Sequence, residues 1–350
     1  MPQPHAPAGS PLPFADLTPD AVLDAVEAFG LVADGRLMAL NSYENRVFMV
    51  GLEGGGSVVA KFYRPGRWTD AQILEEHQFA HDLQADEVPA VAPLALRARH
   101  PGAHVIGDHQ TLGHVAGHRI AVSPRRGGRA PELDDPDVLR WLGRFLARLH
   151  QTGAQGRFQH RLALNPDTLG QSAIDHLQNV DDALPLGVRQ RWLDAAHEAL
   201  ALVREAFDRQ GPVRQVRLHG DMHPGNLLWT PEGPHFVDLD DACMGPAVQD
   251  LWMLLPGDRD ERRPMMDALM DGYESLAEFD WHTWALIEPL RTLRMLHHSA
   301  WLARRWADPA FPAAFPWFGT EAYWLQQVEL LRQQIMLMQG LAPDTGDGMR

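Results

Sequence analysis

Apolar and polar positions along this chain change period from one stretch to the next, and each change predicts an element. Pro19 to Phe29 reads as a leading helix. Arg46–Leu52 and Ser57–Tyr63 read as paired strands, with Gly54-Gly55-Gly56 as the turn between them. In the second strand, period two sets Lys61 on one face with Val59 and Tyr63, and Val58, Ala60 and Phe62 on the other. Thr69-Asp70 then caps a helix rich in helix formers from Ala71 to Leu83. Glu76 precedes Phe79 and Leu83 by three and seven residues and shares their inward face, while Glu75 is turned away by about a hundred degrees.

Further on, His118–Ser123 reads as a last strand and Pro124–Arg129 as a linker. Asp135-Pro136 announces a helix with Val138, Leu142, Phe145 and Leu149 at helical spacing and Gly153 just beyond its end. Leu227–Trp229 and Phe236–Leu239 are apolar runs on either side of the turn-rich Thr230–His235. From Met265 to about Gly340 the chain is mostly helical, and its Trp and Met stripes read as core or groove wall. Together these elements predict an α+β, bilobal fold. A small antiparallel-sheet N-lobe with one main helix takes residues 14–123, a linker 124–130, and a larger, mostly helical C-lobe 131–350. Residues 1–13, with several prolines and little apolar periodicity, are expected to form a disordered tail.

The chemistry is concentrated in Leu218-His219-Gly220-Asp221-Met222-His223-Pro224-Gly225-Asn226. Asp221 and Asn226 stand five residues apart, the spacing of the Asp and Asn in a kinase catalytic loop. One tight loop can then aim a carboxylate at a substrate hydroxyl and a carboxamide oxygen at Mg²⁺. Asp238, twelve positions after Asn226, would be the second metal ligand. If the flanking runs pair in simple register about Glu232, Asn226 and Asp238 lie opposite each other, with Cα atoms about 5 Å apart. Hard oxygens so placed suit Mg²⁺. A lone Asp-x-x-x-x-Asn is an ordinary turn composition; the strand pair and second acid distinguish this one. A different reading makes His219, Asp221 and His223 ligands of a hydrolytic zinc, though no further ligand stands nearby in sequence.

Val59-Ala60-Lys61 resembles the strand whose lysine pairs the α and β phosphates of ATP and a helix glutamate. A buried charge needs a partner, and Glu76 on the next helix is the favoured one over Glu75. No G-x-G-x-x-G precedes Lys61; the candidate phosphate cradle is the polar turn Asn41–Asn45, with Ser42 as the contact. The early backbone of the linker is expected to meet the adenine edge.

Composition narrows the class. A chain of 350 residues, 45% hydrophobic, can bury two cores. The single cysteine, Cys243, excludes an internal disulfide framework and fits a reducing, cytoplasmic setting. Acids beside it would raise its pKa, so it is not read as a nucleophile. Neither an 18-residue apolar stretch nor a charged-then-apolar leader is present, so no membrane partner is expected. A formal charge of −15 argues against nucleic acid, and a monomer is expected.

The chain resembles the aminoglycoside phosphotransferase and choline kinase superfamily and, within it, bacterial serine/threonine kinases of the stress response kinase A family. The resemblance is carried by Leu40–Val47, Lys61–Pro65, Ile73–Phe79, Leu218–Asn226, Phe236–Asp241, Gly245–Trp252 and Arg305–Pro312, and spans about Phe14 to Gln339. It implies a protein-kinase-like fold, ATP as co-substrate and Mg²⁺ as cofactor. By position it also implies Asp221 as proton acceptor, Asn226 and Asp238 as metal ligands, Ser42 at the ATP site, and Asp250 bracing the catalytic loop. A protein Ser/Thr acceptor, stress survival and restraint of toxin-driven cell death are implied likewise. Only eleven residues separate Asp238 from Asp250, too few for an activation segment. That keeps open a small-molecule kinase acting on an alcohol or amino sugar. An acidic pocket among Asp240, Asp241 and the C-terminal helices would favour a cationic substrate of that kind. A nucleotide sensor without catalysis is the third alternative.

Overall fold

Six short strands assemble into one antiparallel sheet, with the lysine strand in its interior. The computed structural model describes residues 12–180, 183–255 and 259–341, and for 259–262 the backbone alone. The expected tail at 1–13 falls, up to position 11, outside these residues. The chain runs α1 (Pro19–Glu27), β1 (Ala33–Leu40), β2 (Arg46–Leu52), β3 (Ser57–Phe62), α2 (Asp70–Ala85), β4 (His104–Ile106), β5 (Leu112–Val115) and β6 (His118–Pro124). Spatial order is β1-β2-β3-β6-β5-β4. β3 alternates as its sequence predicts: Val58, Ala60 and Phe62 are buried in a core with Val22, Val26 and Phe29, which leaves Val59 and Lys61 to the opposite face. Gly54, Gly55 and Gly56 close the β2–β3 hairpin with φ of +87°, +97° and +85°, conformations that side-chain-bearing residues seldom adopt.

α2 starts at a capping box, in which the Thr69 hydroxyl accepts from Gln72 N while the Gln72 side chain accepts from Thr69 N. Its buried face is Ile73, Glu76, His77, Phe79, Ala80 and Leu83. α3 (Pro136–Ala154) begins with the Asp135 carboxylate accepting from Asp137 N. Two details of α3 differ from the sequence reading. Leu139 and Leu146 join Leu142 and Leu149 as the buried stripe, and Val138 and Phe145 are half-buried at its margin. Gly153 lies inside the helix. A Cβ there would meet Arg217 O at 2.2 Å, so this glycine permits a close approach of chains and does not end the helix.

α4 (Ser172–Asn179) and α5 (Leu186–Gln210) follow. β7 (Val216–Leu218) leads to the hairpin of β8 (Leu227–Thr230) and β9 (Gly233–Phe236), and β10 (Cys243–Gly245) returns antiparallel to β7. α6 (Val248–Leu254), α7 (Arg259–Glu274), α8 (Ile287–Arg305), α9 (Ala310–Ala314) and α10 (Glu321–Met338) complete the chain. This is the predicted organisation of an antiparallel-sheet N-lobe and a helical C-lobe. By backbone contacts the chain divides into two units. Of the described residues, one takes those up to Leu162 with Gln215–Phe279, and the other Ala163–Arg214 with those from Asp280 onward. The second is helical, centred on pairs such as Trp192 and Trp324, whose rings meet edge-on at 5.4 Å. Every candidate site residue lies in the first. Among the described residues, no helix is long and apolar enough to cross a membrane.

Candidate active site

The loop after β7 is held from beneath by one buried carboxylate. Asp250, at the start of α6, accepts from His219 N and Gly220 N, each at 2.9 Å. His150 Nε2 stands 3.2 Å from the same carboxylate. Two charge-assisted backbone bonds fix the loop's entry more firmly than neutral ones would. His219 is fully buried, and its Nδ1 accepts from Asp221 N at 3.3 Å while Nε2 lies 2.9 Å from Val237 O. An accepting Nδ1 places the proton on Nε2, so His219 donates to Val237 O and joins this loop to the segment before Asp238. With both nitrogens engaged, His219 is no zinc ligand. Among the described residues, no cluster of three or more His, Cys, Asp or Glu is arranged to hold a metal.

Asn226 closes the loop. Its Nδ2 donates to Asp221 O at 2.8 Å and lies 3.4 Å from Asp221 Oδ2. The hairpin that follows is tighter than symmetric spacing about Glu232 suggests. Thr230 pairs with Gly233 and Leu227 with Phe236, leaving a two-residue loop, Pro231-Glu232. The register therefore shifts by one, and Asn226 aligns with Val237, whose N–H donates to Asn226 O at 3.1 Å. Asp238 is placed instead by its own backbone, left-handed at φ +60° and ψ +67°. That conformation costs a non-glycine residue on the order of 1–3 kcal/mol, and such outliers gather at functional positions.

Lys61 is surrounded by acids. Its Nζ lies 3.3 Å from Glu76 Oε1, 3.3 Å from Asp238 Oδ1 and 2.9 Å from Asp240 Oδ1. Burial disfavours the ammonium, yet Asp240, Glu76 and Asp238 together hold its pKa well above the ordinary lysine value. Burial in turn raises Glu76, with Lys61 offsetting part of the effect. Glu75 points elsewhere, onto the backbone N–H groups of residues 159–161.

Behind Lys61, the Tyr63 ring lies 4.8 Å from Nζ. The Tyr63 hydroxyl is 2.8 Å from His77 Nε2, and His77 Nδ1 is 2.8 Å from the Thr111 hydroxyl. Burial, reinforced by the Lys61 charge, brings His77 down to about 3, so it is neutral at physiological pH.

These groups converge on one cavity of about 450 Å³. Ser42, Lys61, Glu76, Asn226 and Asp238 line it, with Val59, Leu228 and Leu239 among its apolar walls and residues 123–128 along one side. Asp221 is outside the lining and adjoins it through Asn226. The turn bearing Ser42 is fixed by Arg64, which donates to Tyr43 O at 3.1 Å and Glu44 O at 2.8 Å, while Asn45 Oδ1 accepts from Arg64 N at 3.1 Å.

A model of the phosphotransferase enzyme family matches residues 37–287. The chain belongs to that family. It is 45% identical over 328 residues to stress response kinase A of Escherichia coli (strain K12), covering 93% of this chain and 95% of that one. It is 43% identical to serine/threonine protein kinase RdoA of Salmonella typhimurium, covering 93% and 94%. Solved structures share the fold at lower identity. An amicoumacin kinase, in complex with AMP-PNP and Ca²⁺, superimposes with a TM-score of 0.69 at 19% identity, covering 93% of this chain and 95% of that one. A microcompartment-associated aminopropanol kinase gives 0.64 at 17%, covering 91% and 96%. As a member of the phosphotransferase family, the chain is a phosphotransferase, and its kinase-like fold implies ATP with a divalent metal.

Two further residues shape this candidate site and carry no signature in the sequence. Arg67 pairs with Asp240 and reaches Asp241 Oδ1 at 2.6 Å. An acidic pocket at these two acids, the feature that would favour a cationic small substrate, is therefore neutralised by Arg67. Against the cost of burial, Arg67 and Lys61 hold the Asp240 carboxyl below the usual carboxylate range. Arg161 is the second. Neither has a sequence signature, because their partners lie far away along the chain. Burial, then the Asp250 charge, pushes the Cys243 thiol up, in line with an unreactive cysteine.

Proposed function

We propose that this phosphotransferase moves the γ-phosphoryl group of ATP, with Mg²⁺, to serine or threonine hydroxyls of proteins. The observation that carries this reading is the convergence of Lys61, Asn226 and Asp238 on a single cavity whose catalytic loop presents Asp221 beside Asn226. The donor set fits Mg²⁺. Asn226 spends its amide nitrogen on Asp221 O, leaving the carboxamide oxygen for a cation, and the Asp238 carboxylate is half exposed. Both are hard oxygens, as Mg²⁺ requires. When bound, Mg²⁺ supplies charge neutralisation to the phosphates.

The chain's own groups do the rest. Lys61 binds the α and β phosphates as a charged ammonium held by Glu76, and the Ser42 hydroxyl donates to a phosphate oxygen. The backbone of residues 123–128 meets the adenine. Asp221 accepts the proton of the acceptor hydroxyl as its oxygen bonds to the γ-phosphorus and the bond to the β,γ-bridging oxygen breaks. The names of the two relatives above, at 45% and 43% identity over nearly the whole chain, support a protein acceptor and a role in stress survival.

The eleven residues between Asp238 and Asp250 favour a second reading, a small-molecule kinase. Incubating purified protein with γ-³²P-ATP, Mg²⁺ and a generic basic protein separates the possibilities. Label in protein is expected. Label confined to a soluble metabolite would support the second reading, and nucleotide binding without transfer would support a sensor.

A further inference from the structure

Helix α2 carries Glu76, and the structure ties that helix down through two residues that do not line the nucleotide cavity. Glu75 accepts from three consecutive backbone N–H groups, those of Gln159 at 2.5 Å, His160 at 3.0 Å and Arg161 at 2.9 Å. Gln72 Nε2 donates back to His160 O at 2.9 Å. The Arg161 side chain, wholly buried, reaches both ways. Its Nη1 donates to Gln72 O at 2.9 Å on α2, its Nε to Ala242 O at 2.6 Å, and its Nη2 to Asp240 O. Trp68 lies against the guanidinium, 4.5 Å from ring centre to Cζ. One short segment, 159–161, thus joins the first two turns of α2 to the backbone just after Asp238.

The same residues complete the electrostatics of Glu76. Oε1 faces Lys61 at 3.3 Å and Oε2 faces Arg161 at 3.7 Å. Without Arg161, a buried carboxylate would have Lys61 as its one close cation, and that lysine is shared with Asp238 and Asp240.

In protein kinases, the lysine–glutamate pair forms only when the glutamate helix is in place, which phosphorylation of an activation segment controls. This chain has eleven residues between Asp238 and Asp250 and no room for such a segment. We propose that Glu75 and Arg161 are positioning residues that hold the Lys61–Glu76 pair assembled at all times, a built-in replacement for activation-segment control. The inference rests on Lys61 being the residue that holds the nucleotide phosphates.

Calorimetric titration of the full chain with Mg²⁺ and a non-hydrolysable ATP analogue tests it, with thermal unfolding run on each variant. Glu75→Ala and Arg161→Met are expected to weaken binding about tenfold, below the roughly 10²-fold that a 1 Å misplacement can cost a reaction. Glu76→Gln should weaken it at least as much. The double variant Glu75→Ala/Glu76→Gln should bind no more weakly than Glu76→Gln alone, because the pair through which Glu75 acts is already broken. If Arg161→Met fails to fold, Glu75→Ala carries the test, since Glu75 is only half-buried. Wild-type affinity in Glu75→Ala would overturn the proposal, whatever its melting temperature, and so would losses that multiply in the double variant. Lys61→Met binding as wild type would instead sink the assignment of Lys61 and the proposal with it.

Discussion

Replacing Asp221 with alanine is expected to slow phosphoryl transfer by about 10²–10⁴-fold, the range of general-base help, while nucleotide affinity stays close to wild type. The asymmetry follows from position. Asp221 lies outside the cavity lining, and the loop's shape is set by other groups. Asp250 fixes the N–H groups of His219 and Gly220, and Asn226 Nδ2 bonds the backbone oxygen of Asp221. Alanine keeps those main-chain partners and removes only the carboxylate that we propose takes the hydroxyl proton. Steady-state kinetics with calorimetry on the same preparation check both halves. Normal turnover in Asp221→Ala would refute its assignment as proton acceptor.

The second large effect is expected at Asp238. Asn is the replacement of choice, because it tolerates the left-handed backbone at φ +60° and keeps the side chain's size. What it removes is the charge. Asp238→Asn is expected to weaken metal-supported nucleotide binding by at least the roughly 10–100-fold that loss of an outer-shell partner costs a metal site, and transfer should fall with it. Lys61 then has Glu76 and Asp240 left as close acids, so its own charge is retained. Titrating nucleotide affinity against Mg²⁺ concentration measures the effect. An unchanged Mg²⁺ dependence would count against Asp238 as a ligand.

The legible parts of this protein were those whose causes are local. Period two in β3 places Lys61 on the cavity face because strand side chains alternate whatever lies around them. Helical spacing puts Glu76 on the buried face of α2 for a similar reason. The Asp221–Asn226 spacing is local as well, since one loop holds both residues. Legibility failed where distant pieces of chain decide the outcome. The β8–β9 register turned on a two-residue loop that composition does not specify, and a shift of one residue moved Asn226 from Asp238 to Val237. Gly153 looked like a helix terminator because its partner, the Arg217 backbone, lies 64 positions further on. Arg67 was silent for the same reason, as its acids lie 173 and 174 positions away. Whether Asp240 and Asp241 form an acidic pocket turns on that guanidinium, which pairs with both.

A crystal structure of the protein with Mg²⁺ and a non-hydrolysable ATP analogue would be the most direct test. Adenine is expected along residues 123–128, the metal at about 2.0–2.1 Å from oxygens of Asn226 and Asp238, and the terminal phosphate facing Asp221. Nucleotide bound away from Lys61, or metal held by neither Asn226 nor Asp238, would show that the phosphotransferase chemistry is not carried out by these residues.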